Sequence, residues 1–266
     1  MDTPMSETLI TYELDGNVAL IGLNRPDKRN SINDPLIDEL RAAVLRAHEE
    51  ADVAVLFGHG TNFCAGLDLA EALARATGQI KPPRKRKRHN WHEVFDLIER
   101  GPIPFVAALH GAVVGGGLEL ATAAHVRVGD ESALFGLPEG QRGIFVGGGG
   151  TVRIQRVVGT TVMMDMMLTG RLLTAAEGLQ EKVIRYLTPA GEALAKAKEL
   201  AHRIAKNSVE TNWMIVNVLP RIHDMTHDDG LFVEQLNSAR ARPPEAEARL
   251  REFVEGKAKK IQDNQS

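Results

Sequence analysis

Apolar and polar residues alternate over residues 9–14 and again over 18–23, on either side of Asp15-Gly16, the pattern of two half-buried strands joined by a tight turn. The Asp-Gly dipeptide suits a type I′ hairpin, whose two central residues need positive φ. The period then changes. In NDPLIDELRAAVLRAHEE, the residues Leu36, Ile37, Leu40, Val44 and Leu45 recur at helical spacing, with Asp34 the expected N-cap and Pro35 the first helical residue. The short continuous apolar runs VAVLFG (53–58), FVAAL (105–109) and HVRVG (125–129) read as buried strands. Helical patterns lie between them over 68–75 and 91–100, and another follows the glycines at 115–117. Strands and helices in alternation predict an α/β fold with much of its sheet buried. From Thr174, with Glu177 three residues on as a capping box, the chain reads as almost wholly helical. The stretches GEALAKAKELAHRIAK, SVETNWMIVNVL and EAEARLREFVEGKAKKI are three amphipathic helices, and a boundary near Thr188-Pro189 divides the chain into residues 1–188 and 189–266.

Composition narrows the picture. A chain of 266 residues, 43% hydrophobic, can bury a large core. Its 32 basic and 35 acidic side chains nearly cancel, leaving a net charge of -3, which argues against a whole-molecule role on nucleic acid or membrane. The single cysteine, Cys64, excludes an intrachain disulfide. The N-terminus has no basic stretch followed by an apolar one, and no apolar run approaches the roughly 18 residues that span a bilayer, so a cytoplasmic location is expected. The one charge block, KPPRKRKRH at 81–89, reads as a solvated loop, with a phosphate or nucleic-acid site as its functional alternative.

Several kinds of chemistry are missing. The chain has no G-x-S-x-G, no H-E-x-x-H, no G-x-x-x-x-G-K-[ST] and no G-x-G-x-x-G. His223 and His227 lie one helical turn apart, but no third ligand is marked by spacing, so a solvated surface is expected and no metal site is assigned. Cys64 reads as a small packed thiol. HGAVVGGGLELATAAH is different, because three glycines, Gly115 to Gly117, precede a lone acid, Glu119, in otherwise apolar sequence. Glycines at a strand-to-helix junction let main-chain N–H groups approach a ligand, and the helix start adds partial positive charge. A tight turn would explain the glycines but not a carboxylate carried into the core. FGLPEGQRGIFVGGGGTVRI repeats the combination, with Glu139 ahead of four glycines, Gly147 to Gly150. Together the two acids could serve as acid and base in a proton transfer whose negative charge is held by N–H donors. GTNFCAGLDLAEAL supplies a third glycine loop leading into a helix at Asp68.

These segments, with NRPDKRNSIN and LTGRLLTAAEGL, resemble the successive motifs of the crotonase superfamily, the enoyl-CoA hydratase/isomerase family, in order over residues 24 to about 187. With the tail REFVEGKAKK, the resemblance covers most of the chain. It implies a crotonase-like spiral of ββα units followed by a helical C-terminal region that builds homotrimers, often paired into homohexamers. It implies an acyl-CoA thioester as substrate and no cofactor besides. By position, the N–H groups of Leu67 and Gly116 would form an oxyanion hole. Lys28, Arg29 and the loop containing Ala65, Asp68 and Leu69 would hold coenzyme A. In family hydratases the acid matching Glu119 takes a proton from water and the one matching Glu139 protonates the α-carbon, with the Gly147 N–H orienting Glu139.

Retention of both acids favours hydration of a 2-enoyl-CoA over the alternatives, a double-bond isomerase or an aryl-CoA hydratase-lyase. A non-catalytic acyl-CoA or RNA binder stands further off. Where many relatives read IPGAGG, this chain has Phe145-Val146-Gly147-Gly148-Gly149, which loosens the loop. Trp91, His92, Phe95 and Met163, Met164, Met166 and Met167 could line an acyl pocket; plain core is the default reading for helix-spaced apolar residues.

Overall fold

The computed structural model describes residues 8–80, 90–240 and 244–256, so the basic segment 81–89 lies outside the described residues. The described chain divides into two compact units after Ala205.

The first unit opens with the expected hairpin, β1 (Ile10–Asp15) and β2 (Val18–Leu23), but Asp15 pairs with Val18, so the turn is Gly16-Asn17. Only Gly16 has positive φ, which is the type II′ requirement rather than that of type I′. The helix α1 (Asp34–Glu50) is capped by Asn33, not Asp34: its side chain accepts from the Leu36 N–H at 3.1 Å. Then follow β3 (Val53–Gly58), α2 (Leu69–Ala76), α3 (Asn90–Arg100), β4 (Phe105–Leu109), β5 (Ala112–Val114), α4 (Gly116–Ala123), β6 (Val126–Asp130) and β7 (Leu134–Gly136). The unit continues through α5 (Gly150–Thr169), β8 (Leu172–Thr174), α6 (Ala175–Gln180), β9 (Tyr186–Thr188) and α7 (Ala193–Ile204). Within α5, Gly159 is non-helical at φ 80°, which kinks the element. Thr174 and Glu177 form the expected capping box at the start of α6.

Six strands form one sheet in the order β1-β2-β3-β4-β6-β9, parallel except for the hairpin, and β5-β7-β8 form a second. Strand alternation explains why the central runs are apolar throughout. Ala19, Ile21, Leu23, Ala54, Leu56, Phe105, Ala107 and Leu109 face the large core, where α1 buries Leu36, Ile37, Leu40 and Val44. Val18, Leu20, Val53, Val55, Val106, Ala108 and Val128 face the opposite way and are covered by Ala193, Ala197, Leu200 and Ala201 of α7. A sheet buried on both faces has no polar side to display. The sequence pattern groups α7 with the C-terminal helices, whereas the structure makes it a layer of the first unit, because its small apolar stripe closes that second sheet face.

The second unit holds α8 (Val209–Asn217), α9 (Leu219–Ile222), α10 (His227–Arg240) and α11 (Pro244–Val254). It leaves Val209, Ile215, Leu231, Phe232, Leu236, Leu250, Phe253 and Val254 exposed. No described helix is long and apolar enough to cross a membrane.

Candidate active site

Two loops meet at the N-terminus of α4. The chain after β3 is pinned to its neighbours by main-chain bonds: Phe63 N–H to His110 O at 2.8 Å, Cys64 N–H to Ala112 O at 2.9 Å, and Ile32 N–H to Gly66 O at 2.7 Å. Asp68 N–H returns to Ile32 O at 2.9 Å, a parallel bridge that leaves the N–H of the intervening Leu67 pointing away from Ile32. Gly66 holds φ 85°, and a Cβ there would lie 2.6 Å from Val114 O and 3.1 Å from Gly116 N, so only glycine permits this approach. The chain that leads into Leu67 is thereby packed against the Gly116 amide. Neither the Leu67 nor the Gly116 N–H has a hydrogen-bond partner among the described residues, as expected of Gly116 in the first turn of a helix.

Cys64 is fully buried beneath this loop, its Sγ accepting the Gly66 N–H at 3.4 Å, and burial pushes the thiol up to about 12. It is a packed thiol that shapes the turn.

Both acids are buried at this junction, Glu119 at 2% exposure and Glu139 at 6%. Glu119 lies in the first turn of α4, and its Oε1 accepts the N–H of Gly148 at 2.7 Å and of Gly150 at 2.8 Å. Glu139 leans over Gly115, where a Cβ would come within 2.6 Å of its Oε1, and its Oε2 is buried without a partner among the described residues. Burial pushes the Glu139 carboxyl above its ordinary value of 4.5, its own main-chain N–H pulls it back, and the negative charge of nearby Glu119 adds to the rise. Nearness to the same helix start, and the effect of the Glu119 charge on Glu139, place the two acids in one candidate site.

The glycine loop before α5 therefore serves a different acid from the one sequence suggested. No hydrogen bond joins the Gly147 N–H to Glu139 among the described residues, and exposed Gly147 stands aside while Gly148 and Gly150 grip Glu119. The four glycines mark the loop in sequence, but which N–H reaches which carboxylate depends on how α5 docks.

A cleft of about 560 Å³ opens beside the Leu67 loop. Lys28, Arg29, Ala65, Leu67 and Leu69 line it, as does Arg142, a cation that the sequence motifs did not single out. Val114 and Pro138 also line it, the residues just before Gly115 and Glu139, and neither acid lines it. The Asp68 side chain is engaged within the chain. Its Oδ1 accepts the N–H groups of Ala70 and Glu71 as the N-cap of α2, and its Oδ2 pairs with Arg25 at 3.1 Å. Burial opposes its ionisation, but the Glu71 N–H and Arg25 outweigh that and hold the carboxyl below the usual range. Trp91 of α3 covers Gly116 so closely that a Cβ on the glycine would enter the indole, and Phe95 is wholly buried behind it. Met163 and Met166 are core, whereas Met164 is half-exposed. His223 and His227 are exposed, and the described residues contain no group of three metal-ligating side chains.

The family model described as enoyl-CoA hydratase/isomerase matches residues 13–259. This chain belongs to the enoyl-CoA hydratase/isomerase family. The chain is 32% identical over 225 residues to the Arabidopsis thaliana protein named "Probable enoyl-CoA hydratase 2, mitochondrial", covering 84% of this chain and 73% of that one. It is 33% identical over 196 residues to enoyl-CoA hydratase EchA19 of Mycobacterium tuberculosis, covering 72% of this chain and 73% of the relative. Among solved structures, one from Rhodopseudomonas palustris is 42% identical with a TM-score of 0.85, covering 97% of this chain and 98% of its own. The enoyl-CoA hydratase of Bacillus anthracis superposes with a TM-score of 0.84 at 28% identity, covering 94% and 97%. The fold is that of crotonase, and the protein is an enzyme of the hydratase/isomerase family.

Proposed function

We propose that this family member hydrates 2-enoyl-CoA thioesters to 3-hydroxyacyl-CoA. The observation that carries the reading is the gathering of two buried glutamates around the start of α4, whose first N–H, that of Gly116, has no partner among the described residues. Glu119, held by Gly148 and Gly150, takes a proton from water as the water oxygen bonds to C3. The electrons of the C2–C3 double bond shift toward the thioester carbonyl, and the developing oxyanion lies between the Leu67 and Gly116 N–H groups. One such fixed donor is worth about 3 kcal/mol to the transition state, so two account for a large share of the acceleration. Glu139 then gives its proton to C2. Its raised pKa suits that role, because a carboxyl that resists ionisation keeps its proton to higher pH. Proton exchange with solvent resets the pair, and no cofactor enters the cycle.

Lys28, Arg29 and Arg142 on the cleft supply cations for the phosphates of coenzyme A, while Ala65 and Leu69 line its walls. Asp68 and Arg25 hold the two supporting loops together. The exposed apolar side chains of α8, α10 and α11 fit a homotrimer or homohexamer, which sedimentation would size. A cytoplasmic location belongs to the same reading and is checked by fractionation of the source cells.

The test is loss of the conjugated-thioester absorbance over a panel of short, long, branched and aryl 2-enoyl-CoAs. Hydration of at least one class, abolished in Glu119→Gln with coenzyme A binding retained, is the expected result. No turnover across the panel refutes the reading. Turnover of 3-enoyl-CoA alone makes the enzyme an isomerase, and release of an aldehyde from an aryl substrate makes it a hydratase-lyase.

A further inference from the structure

Arg153 sits one turn inside the N-terminus of α5 with its side chain only 5% exposed. That is an unfavourable place for a cation, because the helix dipole puts positive charge at the same end and burial removes hydration. It is nevertheless fully engaged. Its Nε donates to Glu99 at 2.8 Å, its Nη2 pairs with Asp96, and its Nη1 donates to Gly148 O at 2.9 Å. The Gly148 carbonyl belongs to the peptide between Gly148 and Gly149. The peptides immediately before and after it carry the two N–H groups, of Gly148 and Gly150, that bind Glu119 Oε1. Arg153 therefore grips the middle one of three consecutive peptides whose outer two orient the glutamate.

The other end of the clamp is also informative. Asp96 and Glu99 both lie on α3, the helix that places Trp91 over Gly116. Phe95 on the same helix lies so near the loop that a Cβ on Gly148 would be 2.8 Å from its Cε2. One guanidinium thus ties the wall over Gly116 to the loop that binds Glu119.

We infer that Arg153 is a positioning residue for the reaction, a buried clamp with Asp96 and Glu99 that fixes the glycine loop and so the direction of the Glu119 carboxylate. The kinetic part of this inference rests on the hydration reading above; the structural part does not. Two readouts separate them. In Arg153→Met, which keeps length and apolar bulk but loses every donor, hydrogen exchange at residues 147–150 should quicken at least tenfold, with β3 and β4 as protected as in the parent. The same variant should lose about 10- to 100-fold in kcat, with KM within threefold, because the coenzyme A cleft is lined by other residues. Arg153→Lys, which can still reach Gly148 O or a carboxylate, should recover most of the lost kcat.

Should Arg153→Met fail to fold, Asp96→Asn serves instead, since that carboxylate is half exposed and its loss leaves Glu99 on the clamp. It should show the same exchange pattern and a three- to tenfold fall in kcat. Unchanged loop exchange together with kcat within twofold of the parent overturns the inference, as does loss of protection spread evenly through the sheet. If the parent enzyme hydrates no 2-enoyl-CoA, the hydration reading falls, and loop exchange alone decides whether Arg153 holds the loop.

Discussion

Replacing Glu119 by alanine and by glutamine should separate its two duties. Its Oε1 is the shared acceptor for Gly148 and Gly150, at 2.7 and 2.8 Å, in a site where the residue is 2% exposed. Alanine removes that oxygen and strands two buried N–H groups. A buried donor left without its partner costs about 1–3 kcal/mol, so the pair sets an upper range of roughly 2–6 kcal/mol, part of which water entering the vacated space would return. Glutamine keeps the length and an amide oxygen that can take both bonds, so its stability should stay within about 1 kcal/mol of the parent. Both variants lack a base, and each should lose on the order of 10²- to 10⁴-fold in hydration. Urea denaturation of the three proteins side by side gives the stability order, and thioester absorbance gives the rates. Equal stability of Glu119→Ala and Glu119→Gln would refute the claim that this carboxylate anchors the glycine loop; full activity in Glu119→Gln would remove it from the chemistry.

Glu139 makes a pH-dependent prediction. Its folded pKa lies above the ordinary 4.5, so ionisation destabilises the native state once pH exceeds the unfolded value. Glu139→Gln should melt higher than the parent at neutral pH, with the gap closing as pH falls through the folded pKa and gone below about 4.5, while hydration is lost at every pH. Glu177 has the opposite sign. The Thr174 N–H, Arg171 and the Thr174 hydroxyl bring its carboxyl down to about 2, so its contribution is present above 4.5 and lost as pH falls toward 2. The melting difference between the parent and Glu177→Gln should shrink over that interval. Gly116→Ala would drive a Cβ into Trp91, an overpacking of about 1–3 kcal/mol that displaces the Gly116 amide. Hydration should fall at least tenfold, and Trp91→Leu in the same chain should restore part of it.

Local pattern foretold the elements that local forces decide. β3 and β4 fall on residues 53–58 and 105–109 as expected, since an uninterrupted apolar run between polar flanks can be satisfied only inside a sheet. The capping box at Thr174 closes over four residues and was visible for that reason. The hairpin turn and the cap of α1 each lie one residue from their expected places, because Gly16-Asn17 and Asn33 compete with equally suitable neighbours. Nothing in the local pattern predicts β5, β7, β8 or β9. Each has three residues, too few to show a period, and each exists because a distant strand pairs with it. α10 is not among the helices that the pattern predicts, although the Thr226 hydroxyl oxygen accepts the Asp229 N–H at its start.

The candidate site divides along the same line. Glycines before a lone acid in apolar sequence are a local anomaly, and they marked Glu119 and Glu139 without any knowledge of the fold. Three facts needed the tertiary structure: that Gly148 and Gly150 bind Glu119, that Asp68 turns inward to Arg25, and that Arg153 joins α3 to the loop. Hydrogen-bond partners 29 to 57 residues apart leave no trace in spacing. Burial and conformational preference are written residue by residue, whereas the pairing of one buried polar group with another is chosen only when the helices that carry them come to rest.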